Sequence, residues 1–166
     1  MSKLFVIEGK AESWQEALQL TANRLLEEGC VKDDFYECCK KREEEYPTGL
    51  TENCPVAIPH TTKDHVKEQA ICALRLQHPV MFCRMDDPDV QVEVKYVLNL
   101  ALLDDSEHVE IIARVIRYLK DDSALKEFMS QISRLSVCCI CMRSRQIRSL
   151  MLLQAFRESW KQLVRI

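Results

Sequence analysis

The chain has 166 residues, 47% of them apolar, which is enough for one hydrophobic core. Its 23 basic and 26 acidic residues leave a net charge of −3, so nucleic acid and anionic membrane, which both select a basic face, are poor candidates for the main partner. The opening stretch lacks the long apolar region of a secretion signal, and the central apolar run from Val97 to Leu103 is too short to cross a bilayer. A cytoplasmic protein with no direct membrane insertion is therefore expected.

Lys3 to Glu8 reads as a short first strand. Ser13-Trp14-Gln15-Glu16 is a capping box that starts a helix, with Trp14, Ala17, Leu18, Thr21 and Leu25 on its apolar stripe and Gly29 as a left-handed cap. Asp34 is expected to cap a second helix, with Glu37 reaching back to it. This helix runs to about Glu45, and its inner face would be Phe35, Cys38, Cys39 and, by the same spacing, Arg42. Pro47 stops it. Tyr46 to Pro59 reads as a loop around a short strand, Val56-Ala57-Ile58. Strands are expected at Ala70–Leu76, Val80–Met85 and Val92–Leu103, the last open to a helical reading because periodicity alone does not separate the two.

Ser106 is placed to cap a third helix striped by Ile112, Val115, Ile116 and Leu119, and Asp121 to about Leu135 reads as a fourth. Alternating strands and helices predict an α/β fold, a mixed β-sheet sandwiched between helices in a single domain over residues 1–135. Residues 136–166 stand apart, because no acidic residue occurs between Glu127 and Glu158 while Arg134, Arg143, Arg145 and Arg148 all do. An appended amphipathic helix, a drifted tail and an altered reading frame are the open readings of that segment. The nine cysteines are expected to stay thiols and act as small hydrophobes. Neither Cys38-Cys39 nor Cys138-Cys139-Ile140-Cys141 has the spacing of a zinc site, so no metal is expected.

Of the four histidines, His60 has the most suggestive setting. It follows the apolar run Val56-Ala57-Ile58-Pro59, which puts an imidazole at a strand end on a stiffened backbone. A neutral imidazole offers a lone pair able to attack phosphorus, and phosphoryl transfer asks a protein mainly for positioning and charge. Arg42 is the candidate cation, with a salt bridge to Glu43, Glu44 or another carboxylate as the equally open structural reading. His108, in the first turn of its predicted helix, is a candidate second imidazole, and a solvent-facing helix-start residue is the plainer one. Thr48-Gly49 would form a turn showing backbone N–H groups to an anion. With three glycines in the chain there is no nucleotide-binding loop, so no cofactor is expected.

The run from Arg42 through Tyr46-Pro47-Thr48-Gly49-Leu50, followed by Val56-Ala57-Ile58-Pro59-His60, resembles the signature of the fructose–mannitol class (type 2) of phosphotransferase-system enzyme IIA domains. The start, Lys3-Leu4-Phe5-Val6, and the order of elements are most similar to the galactitol-type branch, and the resemblance spans roughly residues 1–132. It implies that His60 accepts a phosphoryl group from the phosphocarrier HPr and passes it to an enzyme IIB component, on a cysteine in the mannitol and galactitol types. It also implies that Arg42 lies near the site, that His108 matches the second histidine of the mannitol-type branch, and that neither ATP nor metal takes part. Sugar uptake, of galactitol or another polyol, would be the purpose; a regulator that senses phosphorylation and controls a partner protein is the alternative.

Overall fold

The computed structural model describes residues 3–51, 53–103, 112–117, 121, 123–124, 126–127 and 129–132. It forms two compact units, residues 1–105 and 106–166. The expected boundary at residue 135, the composition shift after it and Cys138, Cys139 and Cys141 lie outside the described residues.

In the first unit, strand β1 is Lys3–Gly9, helix α1 Trp14–Glu27, helix α2 Phe35–Glu45, strand β2 Val56–Ala57, strand β3 Ala70–Cys83 and strand β4 Gln91–Ala101. The strands form one mixed sheet in the order β1-β3-β4-β2. β1 runs parallel to β3, β3 antiparallel to β4, and β2 parallel to β4.

The two strands expected at Ala70–Leu76 and Val80–Met85 are one. The register shifts between Arg75 and Val80, where Gln77, His78 and Pro79 are exposed and Pro79 has no N–H for the ladder. β4 is a strand, not a helix. Its first half alternates between exposed and buried residues and its last six residues are all buried, which is why the second half reads as a continuous apolar run.

α1 begins at its predicted cap, with the Glu16 N–H donating to Ser13 Oγ at 3.3 Å, but the return bond of the capping box is displaced by one residue: Glu16 Oε2 accepts the N–H of Glu12 at 2.7 Å. It ends on Gly29, whose φ of 71° is left-handed. The Gly29 N–H then reaches the Leu26 carbonyl and the Cys30 N–H the Leu25 carbonyl, both at 2.9 Å, a Schellman closure. Leu18, Ala22 and Leu25 pack with Phe35, Cys39, Ala70, Cys72 and Ala101. A second cluster joins Ala17 to Leu74, Val80, Phe82, Val94 and Val97. Cys30, Cys39, Cys54 and Cys72 are buried and form no disulfide, as small hydrophobes should be.

α2 corrects two expectations. Its buried residues are Phe35, Cys39 and Glu43, a strict four-residue spacing, so Cys38 and Arg42 flank the inner face instead of lying on it. Asp34 does not cap the helix. Its backbone is already helical and its carboxylate pairs with His65 instead.

In the second unit, residues 112–117 are helical, with Val115 buried between half-buried Ile112 and Ile116, as the predicted stripe requires. Asp121 Oδ1 accepts the Ala124 N–H at 2.8 Å, a helix-start bond ahead of helical residues 123–124, 126–127 and 129–132. Ser106, His108 and Leu119 lie outside the described residues.

Candidate functional site

His60 sits where β2 would continue. Ile58 follows the strand, the Pro59 carbonyl accepts the Leu100 N–H at 2.9 Å, and His60 forms a parallel bridge with Leu100. The sheet therefore holds the backbone on both sides of the imidazole, which is half-buried. His60 Nδ1 lies 2.9 Å from the Ile58 carbonyl oxygen. A carbonyl only accepts, so Nδ1 carries the hydrogen, and in the neutral ring the lone pair falls on Nε2. This local hydrogen bond favours one ring orientation and the Nδ1–H tautomer.

The stretch behind His60 is tied to α2 by a chain of hydrogen bonds. The Ile58 N–H donates to the Thr48 carbonyl at 3.3 Å. The Thr48 N–H donates to Glu43 Oε1 at 2.8 Å and its hydroxyl to Glu43 Oε2 at 2.7 Å. Glu43 and Thr48 are both buried, at 5% and 1% exposure. Burial pushes the Glu43 carboxyl up to about 7, against the opposing pull of the two Thr48 hydrogen bonds and the Arg42 charge. Glu43 is the residue that sequence reasoning weighed only as an ion-pair partner for Arg42. The signal that would have found it is the spacing Phe35, Cys39, Glu43, followed by a threonine five residues on.

The turn Thr48-Gly49 does not offer its N–H groups to an outside anion. The Thr48 N–H is committed to Glu43, and the Gly49 N–H to the Cys83 carbonyl at 3.1 Å. The turn instead joins strands: Gly49 bridges Ala57 on one side and Arg84 on the other. Only glycine fits there, because a Cβ would lie 2.6 Å from the Cys83 carbonyl oxygen.

Arg42, in the last turn of α2, is half-buried. Its guanidinium lies 4.5 Å from the centroid of the Tyr46 ring, and Nη1 donates to the Tyr46 carbonyl at 3.0 Å. The alternative reading of Arg42 as an ion-pair partner is not met; among the described residues no carboxylate, Glu43 and Glu44 included, is salt-bridged to it. Stacking on a ring and one carbonyl satisfies part of a five-donor fork without neutralising it. The fold thus joins Glu43, Thr48, Ile58 and His60 in one bonded series, with Arg42 adjoining Glu43 in the chain, while His108 lies outside the described residues.

The family profile described as "Phosphoenolpyruvate-dependent sugar phosphotransferase system, EIIA 2" matches residues 2–141. The galactitol-specific EIIA component of the phosphotransferase system of Escherichia coli is 33% identical over 114 residues, 68% of this chain and 75% of that protein. The crystal structure of the mannitol IIA of Escherichia coli has the same fold, with a TM-score of 0.61 at 22% identity over 98% of this chain and 95% of that one. So does the Escherichia coli mannitol enzyme IIA in its complex with phosphorylated enzyme IIB, with a TM-score of 0.61 at 22% identity over 98% and 93%. A profile match along most of the chain and a relative of one-third identity carry the assignment: this chain belongs to the EIIA type 2 family of the phosphoenolpyruvate-dependent sugar phosphotransferase system, on its galactitol-like branch, and is a phosphotransferase of that phosphoryl relay.

Proposed function

We propose that Nε2 of His60 is the atom that carries the phosphoryl group, received from the phosphocarrier HPr and handed to a cysteine of an enzyme IIB component during uptake of a polyol such as galactitol. The observation that carries this reading is the Nδ1 hydrogen bond to the Ile58 carbonyl. In the first step the bond from phosphorus to the donor's nitrogen breaks as the Nε2–P bond forms, and the hydrogen stays on Nδ1, still donated to the Ile58 carbonyl. A hydrogen bond on Nδ1 stabilises the positive charge that the ring gains when Nε2 bonds to phosphorus. In the second step the Nε2–P bond breaks as a sulfur–phosphorus bond forms on enzyme IIB, and the ring returns to its neutral tautomer.

Arg42 supplies positive charge to the phosphoryl oxygens, and its stacking on Tyr46 limits the side-chain freedom that would be lost on binding them. Thr48 and Gly49 support the site by fixing the strand that leads to His60. His108 is the proposed second donor, on the resemblance to the mannitol-type branch. The galactitol-specific relative supports the polyol, and the mannitol IIA complex with phosphorylated IIB supports the onward partner. Among the described residues no helix is long and apolar enough to cross a membrane, which supports work in the cytoplasm.

The test is incubation with phosphoenolpyruvate, enzyme I and HPr. The wild type should acquire one acid-labile, base-stable phosphoryl group, and His60→Ala none while keeping its circular dichroism spectrum. A folded His60→Ala protein that labels like the parent would refute the assignment.

A further inference from the structure

Asp34, Cys38 and His65 are brought together by the fold and have no part in the phosphoryl site. Asp34 and Cys38 lie one helical turn apart at the start of α2, joined by the bond from the Cys38 N–H to the Asp34 carbonyl at 3.1 Å. His65 ends a single 3₁₀ turn, Lys63–His65. Its carbonyl accepts the Lys32 N–H at 2.9 Å, and the next residue, Val66, bridges Val31. The backbone therefore sets the imidazole against the helix start before any ligand arrives.

The side-chain atoms converge as well. His65 Nδ1 lies 2.9 Å from Asp34 Oδ2 and 3.5 Å from Cys38 Sγ, and all three donor atoms fall within 4.8 Å of one another. Tetrahedral zinc, with bonds of about 2.0–2.3 Å, sets neighbouring nitrogen, oxygen and sulfur ligands about 3.3–3.6 Å apart. The nitrogen–sulfur distance already suits that geometry, and small side-chain rotations adjust the oxygen. Imidazole with thiolate is a donor pair that favours zinc over magnesium or calcium. Asp34 is exposed while Cys38 and His65 are half-buried, so an ion has an entry path and water can fill a fourth position.

We propose that Asp34 Oδ2, Cys38 Sγ and His65 Nδ1 form a binding site for one zinc ion, completed by water. On binding, the Cys38 thiol releases its proton to solvent and coordinates as thiolate, while His65 Nδ1 gives up the hydrogen it now donates to Asp34, the neutral ring keeping its one hydrogen on Nε2, and coordinates through the lone pair so freed. The spacing Asp34-x₃-Cys38 with a distant histidine is not visible to a search for paired cysteines, which is why the sequence led to the opposite expectation. A bound ion would pin Cys38, four residues before Arg42, to His65, five residues after His60.

The test uses the full chain, reduced and stripped with a chelator, titrated with zinc chloride against a chromophoric zinc indicator and separately with cobalt(II). One zinc per chain is expected, with a thiolate-to-cobalt charge-transfer band and a higher melting temperature in zinc. Cys38→Ser should abolish the band. Cys38→Ser and His65→Gln should each weaken zinc by more than the roughly 10–100-fold that follows loss of a mere outer-shell partner. The triple variant C138S/C139S/C141S should bind as the parent does. Asp34→Asn gives the same reading should either of the first two variants fail to fold. Absence of stoichiometric zinc, unchanged affinity in Cys38→Ser and His65→Gln, or loss confined to the triple variant would overturn the proposal and leave Asp34–His65 as a hydrogen-bonded pair beside a thiol.

Discussion

Glu43 places a carboxyl where almost no water reaches, and its proton responds to pH in a way the whole protein can report. Its carboxyl titrates near 7 when folded against an ordinary 4.5. Between those values the native state binds more protons than the unfolded state, so unfolding free energy falls as pH rises through the window and is level above it. The loss from this one group is on the order of 3 kcal/mol. Glu43→Gln, which keeps an acceptor for Thr48, should flatten that part of the profile in chemical denaturation between about pH 4.5 and 7. An identical slope in both proteins would show that Glu43 titrates normally. Arg42 makes a separate residue-scale case. Its contacts are one carbonyl and one ring at a half-buried position, so Arg42→Ala should fold with a small change in melting temperature. Phosphoryl acceptance in that variant should slow by about a hundredfold, the effect typical of removing a group aimed at developing charge. An unchanged transfer rate would remove Arg42 from the site.

α1 and the sheet are joined by more than apolar contact. Asn99, fully buried on β4, donates through Nδ2 to Thr21 Oγ1 at 2.9 Å, and that hydroxyl donates to the Leu18 carbonyl at 2.7 Å. Thr21→Val keeps the shape and removes the acceptor, which leaves a buried amide without this partner. Thermal or urea unfolding should show a loss of about 1–3 kcal/mol, with Thr21→Ser much closer to the parent. Equal stability in the valine variant would mean that packing alone seats the helix. The elements with clear local chemistry were readable in advance: the Ser13 capping box, the left-handed Gly29, and the stripe of α1. α2 was harder because Cys38 and Arg42 differ by one residue from the positions that point inward. A short helix with few large apolar residues does not set its own rotation; the packing of Phe35 and Cys39 does. β3 read as two strands because Pro79 interrupts a ladder that pairing with β4 carries past it.

At the scale of the molecule, the mixed sheet and the placing of His60 at a strand end were legible, because both rest on patterns within a few residues of one another. The series from Glu43 through Thr48 and Ile58 to His60 was not. It depends on hydrogen bonds among segments whose spacing in the chain carries no periodic signal, and on a turn whose N–H groups look available until the strands close around them. The Asp34, Cys38 and His65 grouping was hidden for the same reason, its members being up to 31 positions apart, from 34 to 65. What this architecture offers the proposed relay is an imidazole whose tautomer is set by a hydrogen bond to its own backbone. Nitrogen-15 and phosphorus-31 magnetic resonance of the phosphorylated full-length protein, with labelled histidine, tests that directly. The phosphoryl group should be bonded to Nε2 of His60, with Nδ1 still protonated; phosphorus on Nδ1 of His60, or on any other residue, would contradict it.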